Sequence, residues 1–318
     1  MAVESCGDIH TLPEYCIANA LSLTSPKDAC RLSAVASTFR SASQSDTVWD
    51  RFLPSDYREI ISRAEGGPDS LLGNFRSKKD LYLHLCDNPI LIDDGRKSFS
   101  LEKLSGKKCY MLAARELFIV WGDTPQYWQW ISLSESRFPE VAELPLPKPR
   151  FSEVAELISV CWLEITGKIS TDMLSPNTNY AAYLVFTCKS RGAYGFDFQP
   201  AEGSVSVSGH ENEKRSICLD PEGERRQRYQ IVPRHMGLFY HRVAFVQRQH
   251  RENAAMDQNT QYPKKRDDGW MEVELGEYFV KEGEDGDLEM SLMEVKAGNW
   301  KSGIIIQGIE IRPKEHCK

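Results

Sequence analysis

The 318-residue chain lacks the features that mark secreted and membrane proteins. No apolar run approaches the roughly 18–20 residues that a membrane helix needs. Residues 1–12 include acidic side chains and no apolar stretch of the secretory kind, and no Asn-x-Ser/Thr sequon occurs. These absences predict an intracellular protein that is cytoplasmic, nuclear or both.

Cysteine is present without a pattern that suggests bridges or metal ligands. The nine cysteines are odd in number and show no C-x-x-C spacing. Several lie within apolar runs, as in Val160-Cys161-Trp162. We therefore expect reduced, packed thiols and no disulfide framework, zinc site or other cofactor.

Catalytic signatures are equally scarce. The chain has no G-x-S-x-G, no G-x-x-x-x-G-K-[ST], no G-x-G-x-x-G and no H-E-x-x-H. His235, His241 and His250 share one region, but we interpret them as solvated or packed rather than metal-bound. The sequence therefore predicts a protein that is not an enzyme.

Charge argues against nucleic acid as the main partner. The formal net charge is −7, whereas a phosphate backbone requires a basic face. Residues 209–266 hold twelve Lys or Arg and seven Asp or Glu, but the acidic residues interleave. We interpret this stretch as solvated loops.

The first 90 residues have a helical period. Ser25-Pro26 offers an N-cap followed by proline at the first helical position. The spacing i, i+3, i+4 and i+7 predicts one amphipathic helix whose apolar positions are Leu32, Val35, Ala36 and Phe39. Ser77 to Asp80 has capping-box spacing before another apolar stretch.

After about residue 95 the spacing of apolar residues shortens toward a period of two, which predicts β-strands. Continuous apolar runs and alternating segments occur at 158–165, 180–188, 271–275, 288–292 and 304–311. Turn sequences such as Asp93-Asp94-Gly95 separate them. The pattern favours an antiparallel two-sheet sandwich.

One short segment is duplicated. Residues 138–144 recur thirteen positions later as residues 151–157. A single repetition does not make a solenoid, and three prolines lie between the copies. We predict a tolerated duplication in a surface loop.

An aromatic run offers the best candidate site. Residues 121–130 carry Trp121, Tyr127, Trp128 and Trp130 around Pro125. Indole faces stack on pyranose rings while neighbouring polar groups bond the hydroxyls. In a strand Trp128 and Trp130 would share a face, so at least one is expected in the core. Residue chemistry alone leaves sugar binding and core packing open.

The N-terminal pattern resembles an F-box over about residues 8–54. Leu-Pro-Glu at 12–14, the Asp-x-Cys-Arg-Leu helix at 28–32 and Trp49 appear in order. The resemblance implies docking on the Skp adaptor of a cullin ubiquitin ligase through apolar anchors. The implied adaptor contacts are Leu12, Pro13, Ile17 and Leu21, and the implied helix-packing residues are Leu32, Val35 and Phe39.

The remainder, from about residue 95 to 313, is similar to the plant phloem-protein-2 domain, a relative of the tobacco jasmonate-induced lectin. The matching stretches are residues 109–116, 121–130, 162–169, 180–186, 268–272 and 300–305. Together the halves resemble F-box proteins of phloem-protein-2 type B. The expected fold is α+β multidomain, with a small helical F-box at 1–60, a helical linker at 61–94 and a lectin-like jelly-roll β-sandwich at 95–318.

The lectin resemblance also implies site residues. The W-x-x-x-P-x-Y-W element, tied in the relatives to N-acetylglucosamine oligomers, matches Trp121 and Trp128. Two acidic residues seven apart match Asp287 and Glu294. That spacing puts them on opposite faces of an unbroken strand, so they share a site only if Asp287 lies in the preceding turn or a bulge intervenes.

The leading hypothesis is a substrate-recognition subunit of a Skp–cullin–F-box ligase whose sandwich captures a glycosylated or other protein. Neither nucleic acid nor membrane is an expected partner. Two alternatives remain open. The chain could be a free lectin with a structural helical N-terminus, or its sandwich could read a protein surface. The insert at 187–267 and the duplicated segment at 138–157 could reshape the site.

Overall fold

The structure, a computed structural model, describes residues 12–65, 67, 72–132, 150–189, 192–196, 199–207, 214–220, 260–296 and 298–314. The chain divides into two compact units, residues 1–110 and 111–318. The first unit includes residues 90–101, which pack with its last helix. Within the described ranges, no helix is long and apolar enough to cross a membrane.

Short helices dominate the first unit. They are α1 (Glu14–Ser22), α2 (Pro26–Ser33), α3 (Ser37–Ala42), α4 (Asp46–Phe52), α5 (Tyr57–Ser62) and α6 (Lys78–Asp87). Ser25 and Ser77 cap α2 and α6 as predicted, because each hydroxyl accepts the backbone N–H three residues on at 3.1 Å. The core includes Trp49, 1% exposed, whose indole N–H donates to the Ser43 carbonyl at 2.6 Å.

The prediction of a single helix that carries Leu32 and Phe39 on one face is wrong. Helix α2 ends at Ser33, and Ala36 is extended at φ −152° and ψ 156° before α3 begins. Val35 lies in the intervening turn and is 70% exposed, so it does not pack the helices together. Apolar spacing cannot distinguish one helix from two that a tight turn joins.

A β-hairpin completes the first unit. Strand β1 (Ile90–Ile92) pairs with β2 (Lys97–Leu101). The predicted turn between them is present, with Asp93, Asp94 and Gly95 all at positive φ. The Arg63 guanidinium bonds both Asp93 oxygens at 2.8 and 2.6 Å, which holds the pKa of that carboxyl below its ordinary value.

The second unit is built from antiparallel strands, as predicted. They are β3 (Lys108–Ala113, which begins in the first unit), β4 (Phe118–Ile119), β5 (Trp128–Ser132), β6 (Glu153–Leu157), β7 (Leu163–Ser170), β8 (Thr178–Cys188), β9 (Ala201–Val207), β10 (Arg215–Ile217), β11 (Lys264–Lys265), β12 (Met271–Val280), β13 (Asp287–Glu294) and β14 (Ile304–Pro313). One sheet contains the order β3-β14-β8-β12-β11, with β6 on β14 and β5 on β6, and the other has the order β10-β9-β13-β7-β4.

Alternation along the strands places the core between the sheets. In β7 Leu163, Ile165 and Ile169 are buried while the intervening polar residues face outward, and β13 behaves likewise. The apolar run predicted as a strand over 158–165 enters its ladder only at Leu163. Before it, Val160 forms an isolated bridge with Lys301.

The duplicated segment is not a pair of loop copies. The second copy supplies β6, which pairs with β5 and β14 and buries Val154, Ala155 and Leu157. The surface-loop prediction is therefore wrong for that copy, because both of its neighbours provide strand partners. The first copy, the intervening prolines and much of the 187–267 insert, including its four histidines, lie outside the described residues.

Candidate functional site

Exposed tryptophans gather where β7 begins and β13 ends. Leu163, the first residue of β7, lies opposite Glu294, the last residue of β13. The backbone N–H of Val120 donates to the carbonyl of Glu164 at 3.1 Å, which brings the loop after β4 to the same end. Trp121, Trp162 and Trp300 are 42%, 43% and 58% exposed here.

Trp121 is held in a left-handed conformation, with φ +59°. A bulky residue adopts this region only where its surroundings impose it. Two indoles do so here. The Trp128 N–H donates to the Val120 carbonyl at 3.2 Å, and the Trp130 N–H donates to the Gly122 carbonyl at 3.0 Å. Trp121 is therefore fixed from both sides, with its ring 5.2 Å from that of Tyr127.

Trp128 belongs to the core and not to the open surface. It opens β5 and is 2% exposed, so a ligand cannot stack on its ring in this conformation. This corrects the expectation that Trp121 and Trp128 contact a sugar together. Burial satisfies the indole N–H within the protein, and Trp128 acts on the site by positioning the Trp121 loop.

Trp130 is half-buried beneath an arginine. The Arg115 guanidinium lies 3.7 Å from the centroid of the Trp130 ring, within cation–π range. Arg115 also bonds both oxygens of Glu153 at 2.8 and 3.1 Å, and these bonds hold the pKa of that carboxyl below its ordinary value. The stack of Arg115 on Trp130 stabilises the position of the Trp130 indole, which is the second of the two indoles that bond the Trp121 loop.

Glu294 is at the Trp121 end but points inward. Its side chain is 3% exposed and forms an ion pair with Lys301, which is 1% exposed. The Lys301 ammonium also donates to the carbonyls of Cys161 and Asn299 at 3.1 and 2.8 Å. The predicted sugar contact is corrected to an internal carboxylate, because alternation along β13 turns Glu294 into the core.

Asp287 does not share a site with the other predicted residues. It is exposed at the start of β13, opposite Ser170. The register to Glu294 is continuous, without the bulge that a shared site would require. Seven residues of unbroken strand separate the two carboxylates by roughly 23 Å.

In the first unit the predicted adaptor contacts separate into two pairs. Leu12, 48% exposed, and Pro13 lie on the surface before α1. Ile17 and Leu21 are 3% and 2% exposed, so they pack within the helical unit, which corrects their expected role as direct contacts.

Several further apolar residues are exposed that the sequence pattern did not single out. In the first unit these are Tyr15 and Leu23, 68% and 71% exposed. In the second unit they are Trp162 and Trp300. The only available signal for the two tryptophans was that each lies just before a strand rather than within its alternating pattern. No group of residues suited to a metal ion occurs in the part of the chain that the structure describes.

Comparisons with known proteins agree with the division into a helical first unit and a second unit built from strands. Residues 9–51 match the F-box domain, and residues 107–146 and 144–313 match phloem protein 2. The chain belongs to the F-box proteins that carry a phloem protein 2 domain, the PP2-B type. An F-box implies a Skp-type adaptor and a substrate, and the accompanying domain is lectin-like.

Three relatives from Arabidopsis thaliana illustrate the match. F-box protein PP2-B1 is 42% identical over 333 residues, covering 99% of this chain and 92% of that protein. F-box protein PP2-B15 is 46% identical over 309 residues, covering 95% and 96%. F-box protein At2g02240 is 46% identical over 302 residues, covering 95% and 79%.

Among solved structures, TmCBM61 in complex with β-1,4-galactotriose superposes with a TM-score of 0.25 and 9% identity. The superposition covers 62% of this chain and 87% of that one. This likeness is too remote to bear on fold or ligand.

Proposed function

We propose that the protein is the substrate-recognition subunit of a Skp–cullin–F-box ubiquitin ligase and that its sandwich binds glycans of the N-acetylglucosamine type. The observation that carries the proposal is Trp121, a half-exposed indole that two buried or half-buried indoles hold in a strained backbone conformation. The protein would take no catalytic part itself and would work in the cytoplasm or nucleus.

The adaptor would dock on the exposed apolar residues of the first unit. Leu12 and Pro13 are accessible before α1, and Val35 is accessible in the turn between α2 and α3. Ile17 and Leu21 support this surface from beneath by anchoring α1 to the helical core. Apolar residues on a preformed helical unit suit recognition by a partner protein.

Co-purification of the full-length chain with a Skp-type adaptor tests this half of the proposal. We expect capture by the wild type and loss of capture with Leu12→Ala plus Pro13→Ala. Phe279→Ala is the matched control, because Phe279 is also 50% exposed but lies in the sandwich. If the wild type captures no adaptor, the ligase role is wrong, and retained glycan binding would identify a free lectin.

The glycan would stack on Trp121. Its ring is open to solvent, while Asp123 and Thr124 in the same loop can bond hydroxyls. Trp128 supports the loop from below, so both matched tryptophans contribute while only Trp121 touches the sugar.

A glycan array with wild type and Trp121→Ala tests this half. The wild type should bind N-acetylglucosamine oligomers, and the variant should lose that signal while remaining folded. If the wild type binds no sugar, the glycan role is wrong, and a sandwich that reads a protein surface replaces it.

A further inference from the structure

The proposed function leaves two exposed tryptophans beside the Trp121 loop without a role. Trp162 and Trp300 each lie just ahead of a strand, β7 and β14. They are 43% and 58% exposed, whereas Trp270 of the same unit is fully buried. Single exposed rings are common on protein surfaces, but large apolar groups exposed together mark interaction sites.

One buried lysine fixes both tryptophan-bearing segments. Val160 and Lys301 exchange two backbone hydrogen bonds, at 2.9 and 2.7 Å. The Lys301 ammonium then bonds the carbonyls of Cys161 and Asn299, the residues directly before Trp162 and Trp300. Because Glu294 neutralises this ammonium inside the protein, the two segments are held by a paired charge.

Glu164 connects this pair of rings to the Trp121 loop. Its carbonyl accepts the Val120 N–H, and one carboxylate oxygen accepts the Trp162 indole N–H at 2.8 Å. The other carboxylate oxygen has no partner among the residues that the structure describes. Trp162 thus has its polar edge satisfied and a free acceptor beside it. An exposed aromatic ring beside a hydrogen-bond acceptor suits a pyranose, because the sugar ring stacks on the aromatic face while a hydroxyl donates to the acceptor.

We propose that Trp162 and Trp300 form a second stacking subsite, so that this end of the sandwich takes an extended oligosaccharide. The occupant would be the next sugar residues of the chain that Trp121 binds, because Glu164 is hydrogen-bonded both to the Trp121 loop and to the Trp162 indole. This inference rests on the proposed glycan binding and deepens it. Lys301 and Glu294 act as positioning residues beneath the second subsite.

Calorimetric titration of the full-length protein with N-acetylglucosamine oligomers of increasing length tests the subsite. Wild-type affinity should rise with length. Trp162→Ala and Trp300→Ala should each lose about tenfold in affinity for the longer oligomers and leave binding of the shortest one unchanged. Trp121→Ala should weaken binding at every length. Phe279→Ala should match wild type throughout, since it removes an exposed ring elsewhere.

The outcomes separate the subsite from the proposed function. If the wild type binds the oligomers and neither tryptophan variant changes the length dependence, the second subsite is wrong and glycan binding stands. If the variants weaken all lengths equally, the two rings belong to the first subsite and the proposal also fails. If the wild type binds no oligomer, glycan binding and the second subsite fall together.

Discussion

The two units of this protein expose apolar surface of different chemical kinds. The helical unit shows mainly aliphatic side chains with one tyrosine, from Leu12 to Val35, over a core of Ile17, Leu21 and Trp49. The sandwich shows indoles at one end, over a buried ion pair. Aliphatic groups pack into another protein without directional demands, whereas flat rings beside carboxylates select flat ligands that also hydrogen-bond. This chemical difference alone distinguishes the two proposed functions, which are adaptor docking by the helical unit and glycan binding by the sandwich.

The largest effect is expected from Lys301→Met, which leaves Glu294 buried without its cation. Removing one member of a buried pair costs about 3–5 kcal/mol. Chemical denaturation of the full-length chain measures the loss, and the sandwich rather than the helical unit should unfold first. The double variant Lys301→Met plus Glu294→Gln should recover much of it. A loss below about 1 kcal/mol would contradict the role given to this pair.

A slightly smaller effect is expected in the helical unit from Ile17→Ala. Truncating a fully buried isoleucine costs about 2–5 kcal/mol, because the lost contacts leave a cavity. Leu12→Ala, on the exposed surface, should stay within about 0.5 kcal/mol of wild type. Both should reduce adaptor capture, so denaturation distinguishes them. Equal stability of the two variants would show that Ile17 is not a core residue.

Trp128→Phe should have a modest effect on stability and a clear one on ligand binding. The substitution keeps most of the buried ring but removes the N–H that bonds the Val120 carbonyl, a loss of about 1–2 kcal/mol. Glycan affinity should fall, because Trp121 is then held from one side only. Trp121→Ala makes the opposite comparison, with loss of binding and little change in the free energy of unfolding. An unchanged glycan affinity in Trp128→Phe would contradict the positioning role of Trp128.

The smallest effect is expected on the stability of the protein at acidic pH. Burial raises the pKa of Glu277, but hydrogen bonds from Lys314, Arg215 and Asn179 outweigh it and lower the pKa to about 2, from an ordinary value of 4.5. A depressed pKa stabilises the folded state above about pH 4.5, and that contribution is lost as the pH falls toward 2. Because Glu277 is partly solvated, we expect about 1 kcal/mol. Unfolding free energies of wild type and Glu277→Gln should converge across this window; parallel curves would contradict the assignment.

Hydrophobic period revealed most of the architecture. The period near two identified β12 and β13, because half-buried strands alternate, and continuous apolar runs identified β8 and β14, which are buried along most of their length. Serine caps located α2 and α6, because a capping hydroxyl is local chemistry. The break at Ala36 was not visible, since a turn can preserve apolar spacing. The second copy of the duplicated segment looked like loop because its partners, β5 and β14, are distant in sequence.

The site was only partly readable. The aromatic run located the loop that carries the exposed Trp121, but the sequence could not assign which indole faces solvent. Trp128 is buried and Trp121 exposed because of hydrogen bonds to Val120 and Gly122, which depend on a left-handed turn. Glu294 matched a family position, yet its partner Lys301 emerges only when β13 and the segment before β14 come together. Contacts of this kind are set by tertiary packing, which periodicity does not report.

The uneven burial of the seven tryptophans gives the protein an internal optical reporter. Trp49, Trp128 and Trp270 are at most 2% exposed, so their emission should be blue-shifted and insensitive to acrylamide. Trp121, Trp162 and Trp300 should supply the red-shifted, quenchable fraction. A ligand that stacks on them would shield that fraction alone, so fluorescence from the unlabelled chain would distinguish occupancy of the sandwich from adaptor docking on the helical unit.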